Sequence, residues 1–439
     1  MSESPPDVTL EEHDTSDPIE LSRREESVLT DLRVGDTDNC PLGVTHERGE
    51  EARIESNSAV GTVRLPSGRR VTVTPKETIG RLLSLLAYAT DTPATALDAT
   101  ADFKQGATFH RVLATLFETE LRTVLQSGLA ESYTDHEGVR DHLRGRLDVQ
   151  RQLRRPTAGA PTTFAVDYRT ATTQTTLNQA VAVAAERLQE LLADERRGVG
   201  DTTDTVTRRL RRSAREWRDR LDGLVPETVS LRAVDQIELS RLTDHYAALL
   251  ALTRTVLSAS FFDDLRPGER RGRALFVDAN NVFERVLERA VRAAVDGRSY
   301  TVVPQATVPA LVQGPHGADT VRPDVVVART ANAGSGATGR ADDPPLSERA
   351  VAVFDAKWKP QGASGRNATQ MAGYCLALDT PGALVFPDTE KLAATPSTVD
   401  GEHELHSLGL PTDATCDPAT YTDRIENAVQ RFLDDKLGL

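Results

Sequence analysis

Two charged residues at the end of an apolar run have the spacing of a hydrolytic metal site. Residues 349–357 predict a buried strand that ends in Asp355 and Lys357. Because side chains alternate between the two faces of a strand, residues two apart point to the same face, with Cα atoms about 7 Å apart. A carboxylate binds a hard cation, and an ammonium group can lie beside an attacked phosphate. The pair therefore suits Mg²⁺-dependent hydrolysis of a phosphodiester.

A second carboxylate comes from the strand predicted before this one. Asp324 follows Pro323, which is tolerated where a strand begins, and precedes a run of valines that predicts a core strand over 321–329. If the two strands are neighbours in one sheet, Asp324 and Asp355 converge. They would then hold one cation between them.

Two predicted helices carry further polar groups. Glu284 flanks the apolar stripe of the helix before these strands and could complete the metal shell, whereas Asp278 is interpreted as the N-cap of that helix. Gln370 and Tyr374 are four residues apart on the helix after the second strand, and hence on one face. They could orient Lys357 or contact a phosphate.

Each of these features also has an ordinary structural explanation. A strand that ends in Asp-x-Lys is usually a solvated ion pair, Glu284 could be a surface carboxylate, and Tyr374 could be a core residue. The specific signal is their order along the chain: helix glutamate, Pro-Asp strand, Asp-x-Lys strand and Gln-x-x-x-Tyr helix.

The chain before this set divides into three regions. Residues 1–25 are acidic and lack periodicity, which predicts a disordered tail. Residues 26–75 show short alternating runs that predict a small β module. Residues 76–265 carry amphipathic stretches joined by a polar connection at 138–173, so this middle region is predicted to be mainly helical.

The last region, residues 266–439, alternates helices and strands, which predicts an α/β arrangement on a mixed sheet. One strand is predicted over 300–311. Residues 330–347 are rich in Gly, Ala, Ser, Asp and Pro, which predicts a flexible insertion. His403 and His406 lie in a predicted strand without zinc spacing and are interpreted as a solvated strand edge.

The composition indicates the number of domains, the kinds of cysteine site to exclude and the expected location in the cell. The 439 residues are 38% hydrophobic, which is sufficient for two or three domains with true cores. Cys40, Cys375 and Cys416 have no CxxC spacing, so neither a disulfide framework nor a zinc site is expected. No apolar run approaches the ~20 residues of a membrane helix, and the first residues are acidic, so a cytoplasmic chain with no membrane association is expected.

The charge pattern resembles that of proteins from halophilic archaea. The net charge is −14, and only six of the 52 basic residues are lysines. Molar salt shrinks the Debye length to ~3 Å, so the acidic surface does not exclude DNA as a ligand. The same salt weakens affinity that depends on phosphate contacts, so a partner is expected to hold a nuclease of this kind on DNA.

Further motifs accompany the candidate site. They are Val73-Thr-Pro-Lys76, Arg144-Gly-Arg-Leu147, a Leu-Asn-Gln helix at Leu177 and the run from Phe276 to Glu284. In this order, from about residue 50 to 410, the sequence resembles the McrC family. That family is the nuclease subunit of McrBC-type modification-dependent (5-methylcytosine) restriction systems and belongs to the PD-(D/E)xK superfamily.

The resemblance implies a fold, a site and a partner. The fold would be α/β, with a small N-terminal β module, a central mainly helical region and a C-terminal restriction-endonuclease-like domain with a mixed sheet. The catalytic residues would carry over to Asp324, Asp355 and Lys357, and less directly to Glu284 and Gln370, with Mg²⁺ (or Mn²⁺) as cofactor. The partners would be DNA and a McrB-like AAA+ GTPase hexamer, into which the β module docks.

The residues support one part of this assignment independently. None of the six lysines follows a glycine, so the sequence has no G-x-x-x-x-G-K-[ST] phosphate loop. Any step driven by a nucleotide is therefore expected to come from another subunit.

Two other functions remain open from the sequence. One is a stand-alone RecB-like DNA exonuclease, because the Gln-x-x-x-Tyr helix also occurs there. The other is a non-catalytic activator of a ring NTPase. Residues 208–220, which are rich in arginine, could contact phosphate with Trp217 as a flat surface, although such runs are usually solvated helix faces.

Overall fold

The structure is a computed structural model, and its description covers most of the chain. The described residues are 5–32, 40–46, 51–76, 79–89, 109–154, 163–194, 205–221, 224, 229, 233–234, 236–258, 273–314, 317–330, 344–358, 365–387, 396–412 and 418–438. The chain forms two compact units, one of Met1–Phe109 with Ala259–Leu439 and one of His110–Ser258. In the described part of the chain, no helix combines the length and the apolar character needed to cross a bilayer.

The helices and strands have the following bounds. The strands are β1 (Val8–Glu11), β2 (Ile19–Glu20), β3 (Leu42–His46), β4 (Glu51–Ser56), β5 (Ala59–Arg64), β6 (Arg70–Thr74), β7 (Ser132–Arg140), β8 (Arg146–Leu147), β9 (Phe164–Thr172), β10 (Arg273–Asp278), β11 (Tyr300–Pro304), β12 (Val308–Gly314), β13 (Gly317–Val321), β14 (Val325–Arg329), β15 (Ala350–Ala356), β16 (Gly382–Pro387), β17 (Ser397–Val399) and β18 (His403–Leu410). The helices are α1 (Arg23–Asp31), α2 (Ile79–Ala89), α3 (Phe109–Ser127), α4 (Val149–Leu153), α5 (Thr176–Asp194), α6 (Thr205–Leu221), α7 (Ala247–Ser258), α8 (Ala279–Val295), α9 (Leu346–Arg349), α10 (Gly365–Leu378) and α11 (Pro418–Phe432).

A sheet with the strand order β1-β6-β5-β10 organises the N-terminal part of the first unit. β10 is antiparallel to β5, and Phe276 lies opposite Gly61. A Cβ atom at position 61 would lie 1.9 Å from the carbonyl oxygen of Leu275, so only glycine allows β10 to approach this closely. Because β10 completes this sheet, the regions predicted separately as 26–75 and 266–439 share one compact unit.

The segment predicted as a disordered tail is folded from residue 5 onwards, so that prediction is wrong for residues 5–25. β1 is parallel to β6, with Val8 opposite Val71 and Leu10 opposite Val73. α1 then begins with a capping box formed by Ser22 and Glu25. Two apolar residues are enough for β1 because the neighbouring strand provides its whole hydrogen-bond ladder, and the acidic composition concealed this pairing.

The second sheet of this unit is mixed, as predicted, with the strand order β11-β14-β15-β16-β18-β17. β11, β14 and β15 are antiparallel neighbours, whereas β15, β16 and β18 run parallel. α10 covers one face of β15 and β16 and buries Met371, Cys375 and Leu378 with Val353 and Leu384. The sheet is therefore a buried platform, and its strand ends can carry polar groups.

Two expectations for this region are corrected. The strand predicted over 300–311 is two strands, because the chain turns at Gln305, which has a left-handed φ of 46°. β18 lies between β16 and β17 and is not an edge. His406 is accordingly buried and packs edge-on against Phe432, with ring centroids 5.4 Å apart.

Most of the insertion predicted at 330–347 lies outside the described residues.

The second unit contains the expected helices α3, α5, α6 and α7. The unit begins at His110, so α2, which was predicted as part of the middle region, belongs to the first unit and packs against α8. Trp217 of α6 is 4% exposed and packs on Phe117, with ring centroids 5.6 Å apart. It is therefore a core residue, and the prediction that it offers a flat binding surface is wrong.

The polar connection predicted at 138–173 forms most of an antiparallel sheet with the order β7-β9-β8. Most side chains of β7 are exposed, so the strand lacks the apolar alternation that sequence patterns detect. Polar contacts replace it: Arg151 pairs with Asp148, Glu137 and Asp167 at 3.0, 3.1 and 2.9 Å.

Candidate active site

The two aspartates of the strand motifs lie opposite each other. β14 and β15 are antiparallel with Val325 paired to Phe354, so the residues next to this pair, Asp324 and Asp355, meet at one end of the sheet. Asp324 Oδ2 accepts a hydrogen bond of 2.7 Å from the backbone N–H of Ala356. The structure thus brings these residues together as the strand pattern predicted.

Lys357 lies at the same strand end and forms an ion pair with Asp355. Its Nζ contacts Asp355 Oδ2, and the two side chains are 19% and 3% exposed. Its backbone N–H donates to the carbonyl of Val385 at 2.8 Å, which continues the pairing of β15 with β16. The backbone around Lys357 is therefore fixed by the sheet.

Gln370 and Tyr374 connect Lys357 to the preceding strand. Lys357 Nζ donates to Gln370 Oε1 at 3.3 Å, and Gln370 Nε2 donates to the hydroxyl of Tyr374 at 2.8 Å. That hydroxyl donates in turn to the carbonyl of Arg322 at 3.3 Å. Both residues lie on one face of α10, as predicted, and Tyr374 is buried.

Glu284 joins the site through Gln305, a residue that no motif singled out. Gln305 Nε2 donates to Glu284 Oε2 and to Asp324 Oδ1, each at 3.2 Å. Its backbone N–H also donates to the carbonyl of Asp324 at 2.9 Å. The left-handed backbone at Gln305 aims this amide between the two carboxylates. The sequence held no signal for it except a polar residue after Pro304.

Burial and mutual repulsion perturb the carboxylates of this site. Burial, followed by the charges of Asp324, Asp278 and Asp355, raises the pKa of Glu284 to about 8. Burial and the charge of Asp355 raise the pKa of Asp324 to about 6. Burial also raises the pKa of Asp355, although Lys357 opposes this shift. Three carboxylates therefore share one ammonium group, and the site has an excess of negative charge.

A further carboxylate that the sequence did not indicate is Glu12, which is 1% exposed. It accepts hydrogen bonds from Trp358 Nε1 at 3.2 Å and from the backbone N–H of Lys76 at 3.0 Å. Burial raises the pKa of Glu12 to about 7, even though these donors lower it. Trp358 follows Lys357 directly in the chain, so the hydrogen bond from its indole connects the segment after β1 to the end of β15.

Asp278 occupies the role predicted for it. Its Oδ1 accepts from the backbone N–H of Asn280 at 2.9 Å and thereby caps α8. The hydroxyl of Ser58 donates to the same oxygen at 3.0 Å.

The carboxylate oxygens of the site suit a hard cation, but several of them already contact Gln305 or Lys357. Among the residues that the structure describes, no three His, Cys, Asp or Glu side chains are already arranged as a metal cluster. Gln305 occupies oxygens of Glu284 and Asp324, and Lys357 contacts Asp355. The chemistry of three carboxylates with excess charge nevertheless fits Mg²⁺ or Mn²⁺, because such ions take carboxylate oxygens and would compensate the repulsion.

Solved structures of other proteins resemble this chain in fold. The similar solved structures include a chain of the refined half-complex from the tetradecameric assembly of Thermococcus gammatolerans McrB AAA+ hexamers with bound McrC. It has a TM-score of 0.55 and 17% identity, over 96% of this chain and 99% of that chain. A chain of the cryo-EM structure of the Thermococcus gammatolerans McrBC complex has a TM-score of 0.46 and 19% identity, over 66% of this chain and 89% of that chain. No curated protein matched the sequence.

A family model also matches the amino-acid sequence itself. The model described as McrBC 5-methylcytosine restriction system component matches residues 54–387, which is well over half of the chain. The matched range contains every residue of the candidate site except Glu12. The resemblance drawn from the motifs is therefore confirmed, and the chain belongs to the McrBC family of 5-methylcytosine restriction system components.

Proposed function

We propose that the chain is a Mg²⁺-dependent endodeoxyribonuclease that cleaves modified DNA when a GTP-hydrolysing AAA+ partner activates it. The observation that carries the proposal is the convergence of Glu284, Asp324 and Asp355 with Lys357 at one end of the sheet. The order of these elements, helix, two antiparallel strands and helix, supports a PD-(D/E)xK core.

In this proposal the carboxylates of Asp324, Asp355 and Glu284 hold the cation. When bound, Mg²⁺ (or Mn²⁺) supplies Lewis-acid stabilisation of the phosphoryl group and lowers the pKa of water. Lys357 places its ammonium group beside the attacked phosphate and the incoming water. Gln370 restrains Lys357 by accepting from Nζ at 3.3 Å, and Tyr374 restrains Gln370 at 2.8 Å.

The present hydrogen bonds indicate what must change when the site is loaded. Gln305 contacts one oxygen each of Glu284 and Asp324, so a cation that took either of these two oxygens would displace its amide. Lys357 must likewise move away from Asp355 to reach a phosphate. Before metal binds, Gln305 thus donates hydrogen bonds to Glu284 and Asp324, and Lys357 compensates the charge of Asp355.

The partner is inferred from the assembly of the relative. The Thermococcus gammatolerans structure holds McrB AAA+ hexamers with bound McrC. This sequence has no phosphate-loop lysine, so nucleotide hydrolysis has to come from such a partner. We assign docking on that partner to the β module of residues 26–75.

The test is cleavage of methylated plasmid DNA by the complex of this chain with its AAA+ partner, in the presence of GTP and Mg²⁺. Asp355→Asn removes the charge and keeps the shape, and we expect cleavage to be abolished while partner binding persists. Asp423→Asn, an exposed position on α11, is the matched control and should cleave as the parent does. Cleavage by Asp355→Asn at the parent rate would refute the proposed site.

The same assay separates the two competing functions. Degradation from DNA ends by this chain alone, without nucleotide, would identify a RecB-like exonuclease. A parent complex that hydrolyses GTP faster than the partner alone but never cuts DNA would identify a non-catalytic activator. Either result would overturn the proposal.

A further inference from the structure

One helix of the second unit presents arginines on a single exposed face. α6 spans Thr205–Leu221, and its inward residues Ser213, Trp217 and Leu221 recur every four positions and are buried. Arg208, Arg212 and Arg215 lie on the opposite side and are exposed. The spacing of i, i+4 and i+7 places these three arginines, called here the arginine strip, in one row.

The arginine strip forms no carboxylate ion pair in the part of the chain that the structure describes, although Glu216 and Asp219 follow Arg212 and Arg215 by four residues on the same helix. Glu118, a buried carboxylate of α3 on the inward side of α6, is engaged at 2.8 Å by Arg122 and at 2.5 Å by Ser213. Arg209, which is not part of the strip, lies 3.9 Å from its other oxygen. A chain with a net charge of −14 thus keeps a local row of positive charge.

We propose that the arginine strip binds the phosphate backbone of duplex DNA, an inference that rests on the proposed function. Guanidinium groups form paired hydrogen bonds to phosphate oxygens, which favours Arg over Lys for this interaction. The strip covers about 10 Å along the helix axis at a rise of ~1.5 Å per residue. Phosphates of one strand rise by about 3.4 Å, so the strip can reach several phosphates of one duplex.

The same helix argues against two other polyanions. Single-stranded DNA is bound mainly by stacking on aromatic side chains, but Trp217 is buried against Phe117 and is not available. An anionic membrane surface would require an apolar face that can insert beside the basic one. The apolar face of α6 is already buried in the core of its unit.

The test uses the full chain and a short unmethylated duplex, with EDTA present so that no cleavage occurs. Fluorescence anisotropy measures the association constant K over a range of salt in which circular dichroism shows a folded protein. The variant combines Arg208→Gln, Arg212→Gln and Arg215→Gln. The control combines Arg23→Gln, Arg292→Gln and Arg431→Gln, which are exposed on other helices and change the charge equally.

We expect the strip variant to bind on the order of 100-fold more weakly at the lowest salt. The slope of log K against log salt should become shallower by about 3, because three phosphates are no longer neutralised by arginine. The control should match the parent in both quantities. Equal binding by the parent and the strip variant would overturn the proposal. So would a larger decrease for single-stranded DNA than for duplex, or a strip-dependent binding to phosphatidylserine vesicles without duplex binding.

Two features keep this result interpretable. If the triple variant does not fold, Arg212→Gln alone carries the test, with a slope change of about 1. Binding is measured without cleavage, so a failure here leaves the Asp355 assay standing. Conversely, cleavage by Asp355→Asn would refute the catalytic site and leave the duplex interaction intact.

Discussion

Asp324 accepts a hydrogen bond of 2.7 Å from the backbone N–H of Ala356, the residue between Asp355 and Lys357. This contact fixes the carboxylate of one strand against the backbone of the next. The carboxylate of Asp324 is therefore held in place before any ligand binds, while burial and the charge of Asp355 still raise its pKa to about 6.

We expect Mg²⁺ to stabilise the protein against unfolding. A cation that binds the folded state alone adds about 2.7 kcal/mol at a concentration of 100 times its Kd. The melting temperature, followed by circular dichroism at constant ionic strength, should therefore rise with Mg²⁺ and return after EDTA. Asp324→Asn and Asp355→Asn should each lose most of this rise, and Asp423→Asn should keep it.

Stability without metal should fall with rising pH because of Glu284. Its folded-state pKa of about 8 lies above the ordinary value of 4.5, so the folded state binds the proton more tightly. The stabilisation is complete below the ordinary pKa and is lost as the pH rises towards 8. Denaturant unfolding in EDTA should show a shallower fall for Glu284→Gln than for the parent. If the free energy of unfolding fell equally with pH in both proteins, the raised pKa of Glu284 would be contradicted.

The amide of Gln305 should stabilise the metal-free protein and weaken the binding of Mg²⁺. Gln305→Ala removes both hydrogen bonds to carboxylates but keeps the left-handed backbone, so we expect a loss of about 1–2 kcal/mol in EDTA. Calorimetry should show tighter Mg²⁺ binding, because no amide competes for Glu284 and Asp324. Gln305→Gly is the comparison, since glycine relieves about 1 kcal/mol of backbone strain while also removing the amide. Weaker Mg²⁺ binding by both variants would instead make Gln305 a direct contributor to the metal site.

The outcome at this site shows which interactions sequence patterns capture. The strands of Asp324 and Asp355 and the helix of Gln370 and Tyr374 were predictable, because each follows a local periodicity that fixes the face on which a residue lies. The role of Gln305 was not, since it depends on one positive φ angle and on two carboxylates from distant segments.

The fold shows the same division between local and long-range signals. The mixed sheet and the helices could be predicted from apolar periodicity. β1 and the exposed sheet at β7 could not, because strands of this kind are stabilised by a partner strand or by ion pairs instead of an apolar alternation of their own. Glu12 was missed for the related reason that a buried carboxylate in an acidic segment resembles its solvated neighbours.

Gln370 should act through Lys357 as a positioning residue. Gln370→Ala removes the acceptor for Lys357 Nζ, and we expect kcat to fall on the order of tenfold, equivalent to about 1.4 kcal/mol. The Kd for Mg²⁺ should not change, because Gln370 contacts no carboxylate in the site. Tyr374→Phe, which only removes the hydroxyl that accepts from Gln370, should cause a smaller decrease. A changed Mg²⁺ affinity in Gln370→Ala would place this residue in the metal shell.

Glu12 should make the environment of Trp358 sensitive to pH near neutrality. The pKa of Glu12, raised by burial to about 7, lies above its ordinary value of 4.5, so its contribution to stability is present at low pH and is lost as the pH rises through 7. Trp217 and Trp358 are the two tryptophans of the chain, so a Trp217→Phe background isolates the fluorescence of Trp358.

In that background the emission of Trp358 should titrate with a midpoint near 7, because its indole N–H donates to Glu12. Glu12→Gln retains an acceptor for the indole and removes the ionisation, so the emission should become independent of pH. The same variant should show a flatter decline of unfolding free energy between pH 5 and 8. A titration that persists in Glu12→Gln would assign the proton to another group. Loss of the titration would show that the ionisation of Glu12 changes the environment of Trp358, the residue next to Lys357.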